Sequence, residues 1–173
     1  MEPTQVLRIA GLTAGRRLEG RFWRAVDGAK PLDTNGTLAG GGRYNPPGEF
    51  GALYCSDSPE QASSEKAAQA ADQPVRLVPI DVALAFVLDL SDPFCRASFL
   101  LRESDLTGRD HELTRRIGRA ARAVGLEALL VPAAQGLGRN LVVFLDRLLP
   151  ASRVRAATEQ ASERARQPER RSA

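Results

Sequence analysis

Residues 41–65 read GGRYNPPGEFGALYCSDSPEQASSE, and three backbone regimes follow one another within that stretch. Gly40-Gly41-Gly42, Pro46-Pro47 and Gly48 crowd turn formers too densely for either regular period, so Gly36 to Gly51 is expected as a loop. Ala52-Leu53-Tyr54-Cys55 reads as a short strand. Ser58-Pro59-Glu60-Gln61 then opens a helix. Ser58 can cap it, Pro59 suits the first helical position because its missing N–H would have no partner there, and Gln61 completes a capping box. Alanine content carries the helix to about Ala71. The order loop, strand, helix sets Arg43, Tyr54 and Glu65 eleven residues apart at each step.

Working outward, Gly20 to Val26 around Phe22-Trp23 is a candidate strand, and Val75–Ile80 and Leu84–Leu90 are two more, the second bounded by Asp92-Pro93. Asp110 offers an N-cap for a helix whose apolar stripe is Leu113, Ile117, Ala120, Ala121 and Val124, with Gly125 closing it. Leu126–Val131 and Leu141–Leu145 are apolar strands separated by a loop over 132–139. Strands and helices mixed in this way predict an α+β fold: one domain over residues 1–150, built as a compact mixed sheet with flanking helices. Residues 151–173 form an Arg-rich C-terminal tail whose single sizeable apolar side chain is Val154, so it is expected to be frayed or helical.

At 173 residues and 43% apolar the chain can bury a core without disulfides or metals. No apolar run approaches the roughly twenty residues that cross a bilayer, and the start, Met1-Glu2-Pro3-Thr4-Gln5, lacks the basic and apolar regions of a secretory signal. A cytoplasmic protein with no membrane association is expected. Cys55 and Cys95 are too few for a disulfide framework and are read as buried thiols. One histidine, His111, cannot build a multi-histidine zinc site, so no metal is expected, and at a helix start it reads as a first-turn surface residue. Residues 1–150 hold 18 Lys+Arg against 18 Asp+Glu, while 151–173 hold six Arg and three Glu. The excess charge thus lies in the tail, and nucleic-acid binding is expected only weakly, through that segment.

Three side chains of the opening stretch could line one cleft between loop, strand and helix. They are an arginine able to grip an anionic diphosphate, an aromatic face on which a flat ring can stack, and a helix-borne carboxylate. Each has a plainer alternative: Arg43 as a solvated turn cation, Tyr54 as strand packing, Glu65 as an exposed helix carboxylate. Arg24, beside Trp23, is a second possible anion contact or a surface cation next to a core tryptophan.

Gly-Gly-Arg-Tyr-Asn-Pro-Pro-Gly, then Leu53-Tyr54, Ser58-Pro59-Glu60-Gln61-Ala62 and Glu65, then Gly125-Leu126, Val131-Pro132 and Asn140-Leu141-Val142-Val143-Phe144 resemble the RES-domain family from about Trp23 to Leu145. The string Arg102-Glu103-Ser104 plays no part in that likeness. The resemblance implies a fold similar to ADP-ribosyltransferase toxins, NAD as substrate rather than cofactor, and pairing with an Xre-like antitoxin; it leaves the oligomeric state open. It implies cleavage of the nicotinamide–ribose bond, by a glycohydrolase or phosphorylase, or alternatively transfer of ADP-ribose to a protein target. By the same likeness Glu65, Arg43 and Tyr54 are the catalytic candidates, and Arg24, Arg43, Tyr44, Tyr54 and Asn140 the NAD-binding ones. Two departures stand out. Pro132-Ala133 occurs where the family usually has Pro-Ser, which opens the alternative of a catalytically weakened homologue that binds a nucleotide or a partner, with Asn140, Arg139 or a backbone N–H as substitute donor. Tyr44 stands where a tryptophan is common.

Overall fold

The computed structural model describes residues 15–28, 30–67 and 75–157. Strand β1 (Arg16–Val26) is followed by a short helix α1 (Asn35–Gly40), strand β2 (Leu53–Ser56) and helix α2 (Pro59–Ala67). Then come the long strand β3 (Arg76–Asp89), helices α3 (Pro93–Ser98), α4 (Glu103–Thr107) and α5 (Glu112–Ala123), strands β4 (Ala128–Pro132) and β5 (Arg139–Val143), a 3-10 turn at Leu145–Arg147 and strand β6 (Arg153–Ala156). The expected mixed sheet with flanking helices is what forms.

The sheet runs β1-β2-β5-β4-β3-β6, and β1 also pairs with β3, so five strands join in a ring to which β6 is added on β3. Only β3 and β4 are parallel. A parallel pair needs a long crossover, and α3, α4 and α5 all lie in that one connection. Alternation then sorts the strand side chains between two cores. Leu53, Cys55, Val78, Ile80, Val82, Leu84, Ala128, Leu130, Leu141 and Val143 belong to a core drawn from strands. Leu129, Val131, Val142 and Phe144 face the other way and pack with Ile117, Ala120 and Ala121 of α5. Strands buried on both faces read as unbroken apolar runs, which is how β4 and β5 appear in the sequence.

The two strands expected at 75–80 and 84–90 are a single strand. The apparent gap, Asp81-Val82-Ala83, keeps strict alternation: Val82 is buried while Asp81 pairs across the outer face with Arg21 at 2.7 Å. The phase slips once, because Leu18 pairs with Leu84 but Arg16 with Val87, leaving one extra residue on β3. Glu127, fully buried, occupies this bulge. Its Oε2 accepts the N–H groups of Ala85 and Phe86, both at 2.7 Å, and its Oε1 accepts Leu149 N–H at 2.8 Å. Burial alone would raise its carboxyl pKa, but the bonds from Ser152, Leu149, Phe86 and Ala85 outweigh that and hold it below the usual range.

Other expectations need adjustment. The 36–51 loop holds a six-residue helix, α1, that propensity would not support; Thr37 fastens it, its hydroxyl donating to Ala52 O at 2.8 Å and accepting Ala52 N–H at 3.1 Å. Gly41, at φ 72°, ends it. The first strand begins earlier than Gly20, since Arg16 to Arg21 is largely exposed and carries little apolar signal. Residues 153–156 of the supposedly frayed or helical tail are strand β6, with Val154 opposite Val82; residues 158–173, like 68–74 at the expected end of α2, lie outside the described residues. Cys55 is buried as expected, but Cys95 is half-buried. Helix α5 starts one residue later than expected: its N-cap is His111, without a side-chain cap, and Asp110 Oδ1 accepts Glu112 N–H at 2.9 Å from the position before it, while Gly125 follows the helix at φ 83°.

Candidate active site

The loop carrying Arg43 is held from three sides. Tyr54, on β2, takes Tyr44 N–H on its hydroxyl oxygen at 2.9 Å and donates to Asn45 Oδ1 at 2.8 Å. Asn45, fully buried, donates its amide to Thr37 O and Phe50 O, each at 2.8 Å. From α5, Thr114 Oγ1 donates to Arg43 O at 2.6 Å and Arg115 Nε to Gly42 O at 3.0 Å. Contact is so close that a Cβ on Gly118 would stand 1.7 Å from Tyr44 O, and one on Gly42 2.5 Å from the Tyr54 hydroxyl. Those glycines are required by approach rather than by dihedral angle. The Arg43 guanidinium crosses to the end of α4, where Nη1 donates to Leu106 O at 3.3 Å and to Gly108 O. Both of these partners of the guanidinium are backbone carbonyls, so neither is a carboxylate.

Tyr44 is a correction. Its side chain is 1% exposed in the helix-side core, so it cannot be the aromatic NAD contact that the sequence suggested; it reaches the site through its backbone N–H. Among the described residues its hydroxyl is the buried side-chain polar atom with no hydrogen bond. Arg24, like Arg43, reaches backbone carbonyls, here those of its own loop. Half-buried, it donates to Pro31 O at 2.7 Å and Asp33 O at 2.8 Å, and burial lowers its pKa against the opposing pull of Cys55, Asp33 and Asp27. Beside it, burial pushes the Cys55 thiol up to about 12, which keeps it protonated.

Glu65 lies on α2, and β2 and β5 bring the rest to it. In their antiparallel register Tyr54 faces Val142 and Ser56 faces Asn140, so these four side chains share one face of the sheet. Asn140 Nδ2 donates to Glu65 Oε1 at 3.0 Å, while Ser56 Oγ donates to Asn140 Oδ1 at 2.9 Å. The second bond fixes which way the amide points. Tyr54 and Ser56 are two residues apart, about 7 Å along the strand, so the Arg43 loop and the Glu65 carboxylate flank one strip of β2. Of the sequence candidates, then, Asn140 and Glu65 touch, and Tyr54 shares their strip and holds the backbone of the loop that carries Arg43; the Arg43 guanidinium reaches the end of α4, the Arg24 guanidinium its own loop, and the Tyr44 ring is in the core.

The sequence reading passed over Gln61 and Ser56, which contact Glu65 and Asn140 directly, and over Thr114 and Arg115, which hold the loop. Gln61 could have been found from its i, i+4 spacing to Glu65. The others left no local signal. A cavity of about 480 Å³ adjoins the loop on its other flank, between Pro46, Pro47 and Glu49 and the His111, Arg115 and Arg119 side chains at the start of α5. Burial, with Arg43 and Arg115 nearby, lowers the His111 pKa. No described helix is long and apolar enough to cross a membrane.

Comparison with known proteins gives a consistent answer. The family model described as RES domain matches residues 17–166. The NAD(+) phosphorylase MbcT of Mycobacterium tuberculosis is 36% identical over 129 residues, 69% of this chain and 69% of its own length. A probable NAD(+) phosphorylase of the same organism is 34% identical over 146 residues, 79% of this chain and 70% of its own. Among solved structures, the M. tuberculosis MbcT–MbcA toxin–antitoxin complex contains a chain that matches at a TM-score of 0.73 and 30% identity, covering 96% of this chain and 98% of that one.

Proposed function

Because the chain belongs to the RES domain family, we propose that it is a toxin that consumes NAD, cleaving the nicotinamide–ribose bond with inorganic phosphate as acceptor, and that a cognate antitoxin neutralises it. Phosphate is favoured over water or a protein side chain because the curated relatives are phosphorylases. The antitoxin follows from the toxin–antitoxin complex of the structural relative. A cytoplasmic location fits both, since NAD and an intracellular partner must be met together.

The bond between ribose C1′ and the pyridinium nitrogen breaks with its electron pair passing to nitrogen, so nicotinamide leaves neutral and needs no general acid. The barrier lies in the positive charge that builds on the ribose. A phosphate oxygen then bonds to C1′, giving ADP-ribose 1-phosphate. Only interactions stronger in the transition state than in the ground state accelerate such a step. Glu65 is the group suited to it, its carboxylate taking the ribose hydroxyls and countering the oxocarbenium charge. Arg43 holds the diphosphate. Tyr54 serves by fixing the Arg43 loop through its hydroxyl, and Asn140 by holding Glu65.

The observation that supports this most is the 3.0 Å bond from Asn140 to Glu65, which joins residues 75 apart in sequence on the strip that also carries Tyr54. Nicotinamide release from NAD, measured with and without phosphate, tests it. Wild-type protein should turn over faster with phosphate, and Glu65→Ala should lose activity by at least about a hundredfold. Absence of nicotinamide release under both conditions would remove the enzymatic reading. A second reading, a homologue of weakened turnover, rests on Ala133, which is buried and has no hydroxyl to give; slow wild-type turnover that rises in Ala133→Ser would favour it.

A further inference from the structure

The capping box expected at the start of α2 is half made. Ser58 Oγ accepts Gln61 N–H at 3.0 Å, as the motif requires, but the Gln61 side chain does not complete the exchange. Its Nε2 instead donates to Glu65 Oε1 at 3.2 Å and to Gln135 O. Gln135 N–H closes the triangle with its own bond to Glu65 Oε1 at 3.2 Å, and Asn140 Nδ2 adds a third donor to that oxygen. Gln61 is 7% exposed, so its amide works in a place where an unmade bond is costly.

The loop between β4 and β5 is shaped around it. A Cβ on Gly136, itself at φ 80°, would meet Gln61 Oε1 at 2.6 Å, and one on Gly138 would meet Asp57 Oδ1 at 2.7 Å and Gln61 Cγ at 3.0 Å. The loop thus closes on Gln61 and on Asp57 beside it. Three donors converge on Glu65 Oε1 from a helix turn, a loop backbone and a strand, so the carboxylate cannot rotate without breaking bonds to all three elements. Among the described residues all three of these bonds fall on Oε1 and none on Oε2.

We propose that Gln61 is a positioning residue: it clamps Glu65 Oε1 and latches the 133–138 loop to α2, so that Oε2 is presented to the ribose in a fixed orientation. This rests on the NAD-cleaving reading and goes beyond it by naming the group that orients the carboxylate. A carboxylate displaced by about 1 Å costs on the order of a hundredfold in rate where orientation dominates, with little effect on substrate binding.

Two variants test the inference. Gln61→Met keeps the length and removes both donors; Gln61→Asn keeps the amide but withdraws it by one methylene. In each, kcat for nicotinamide release should fall about tenfold to a hundredfold while KM for NAD changes less than about threefold. In the free protein, hydrogen exchange at the Gln135 amide should quicken in both variants, with the melting temperature within a few degrees of wild type. A purely structural glutamine would lower stability and leave the surviving folded fraction with normal kcat. Unchanged kcat, a rise in KM matching the fall in kcat, or unaltered Gln135 exchange in either folded variant would overturn the proposal. Wild-type protein without turnover would instead end the NAD-cleaving reading, and Gln135 exchange alone would then decide whether the latch exists.

Discussion

Tyr54 can serve this site in two ways, through its ring face or through its hydroxyl, and Tyr54→Phe separates them because it keeps the ring. The hydroxyl makes two bonds, accepting Tyr44 N–H at 2.9 Å and donating to Asn45 Oδ1 at 2.8 Å. Net contributions of about 0.5–1.5 kcal/mol each give about 1–3 kcal/mol, before counting the groups left behind. Neither can find a new partner easily. Asn45 is fully buried and both its amide hydrogens are committed, to Thr37 O and Phe50 O, so it cannot flip to offer a donor where the phenol was. Adding part of that desolvation penalty raises the expected loss to about 2–4 kcal/mol. The loop released is the one that carries Arg43, so binding suffers more than chemistry. KM for NAD should rise at least tenfold, with a smaller fall in kcat. Denaturant titration and steady-state nicotinamide release measure the two effects on the same preparation. A phenylalanine variant with wild-type stability and wild-type KM would show that the ring alone matters and that the loop-holding argument is wrong.

Two further predictions concern the scaffold. Glu127→Gln should cost about 2–4 kcal/mol at neutral pH, because an amide can keep the Ala85 and Phe86 bonds only as neutral ones and must turn its NH2 toward Leu149 N–H or give up the pair. The Glu127 carboxyl is held below its unfolded value, so its stabilisation is complete above about pH 4.3 and is lost as pH falls through the folded-state value; urea midpoints should therefore drop more steeply in acid for wild type than for the variant, and parallel curves would refute the assignment. Tyr44→Phe removes a buried hydroxyl that makes no hydrogen bond among the described residues, and should raise stability by up to about 1–2 kcal/mol; a clear loss in thermal or denaturant unfolding would show that the hydroxyl is satisfied.

How much of this was readable in the chain depends on where the information sits. Helix α5 carries its own signals, with an aspartate just before its N-cap, a stripe at helical spacing and a closing glycine, so its position followed from local residues to within one residue at its start. Strands β4 and β5 advertised themselves as apolar runs because both their faces are buried. β3 was divided at Asp81 because a charge on an outward position looks like an interruption until its partner, Arg21 on β1, is known. β6 was missed for a related reason: Arg153 and Arg155 are exposed, and the strand exists because β3 offers it an edge. Similarly, α1 owes its form to Thr37 reaching Ala52, a contact that no window over 35–40 contains. The site divides along the same line. Arg43, Tyr54, Glu65 and Asn140 came through a family pattern, yet their division of labour did not. Tyr44 looked like a ligand contact through the same pattern, and only packing against α5 shows that its ring belongs to the core.

Two loops adjoin the site, one carrying Arg43 and one bonded to Glu65 of α2, and each is stiffened by a side chain from an adjoining regular element. Residues 41–45 rest on the Tyr54 hydroxyl of β2, and residues 133–138 on the Gln61 amide of α2. Loops left to themselves would pay for ordering when substrate binds, in lost backbone entropy of about 1–2 kcal/mol per residue. Fastening them to β2 and α2 transfers that cost to folding, where the two cores and the ringed sheet bear it. Under the proposed roles, the Arg43 loop and the Glu65 carboxylate are thereby held before any ligand arrives, as electrostatic stabilisation requires. On this account substitutions at Tyr54 and Gln61 act at opposite ends of one rigid strip. The first weakens the grip on the diphosphate and reads out in KM, the second loosens the carboxylate and reads out in kcat. In the double variant the two losses in kcat/KM should multiply, because the residues share no hydrogen-bond partner. A combined loss well short of the product would mean that the loops move as one body.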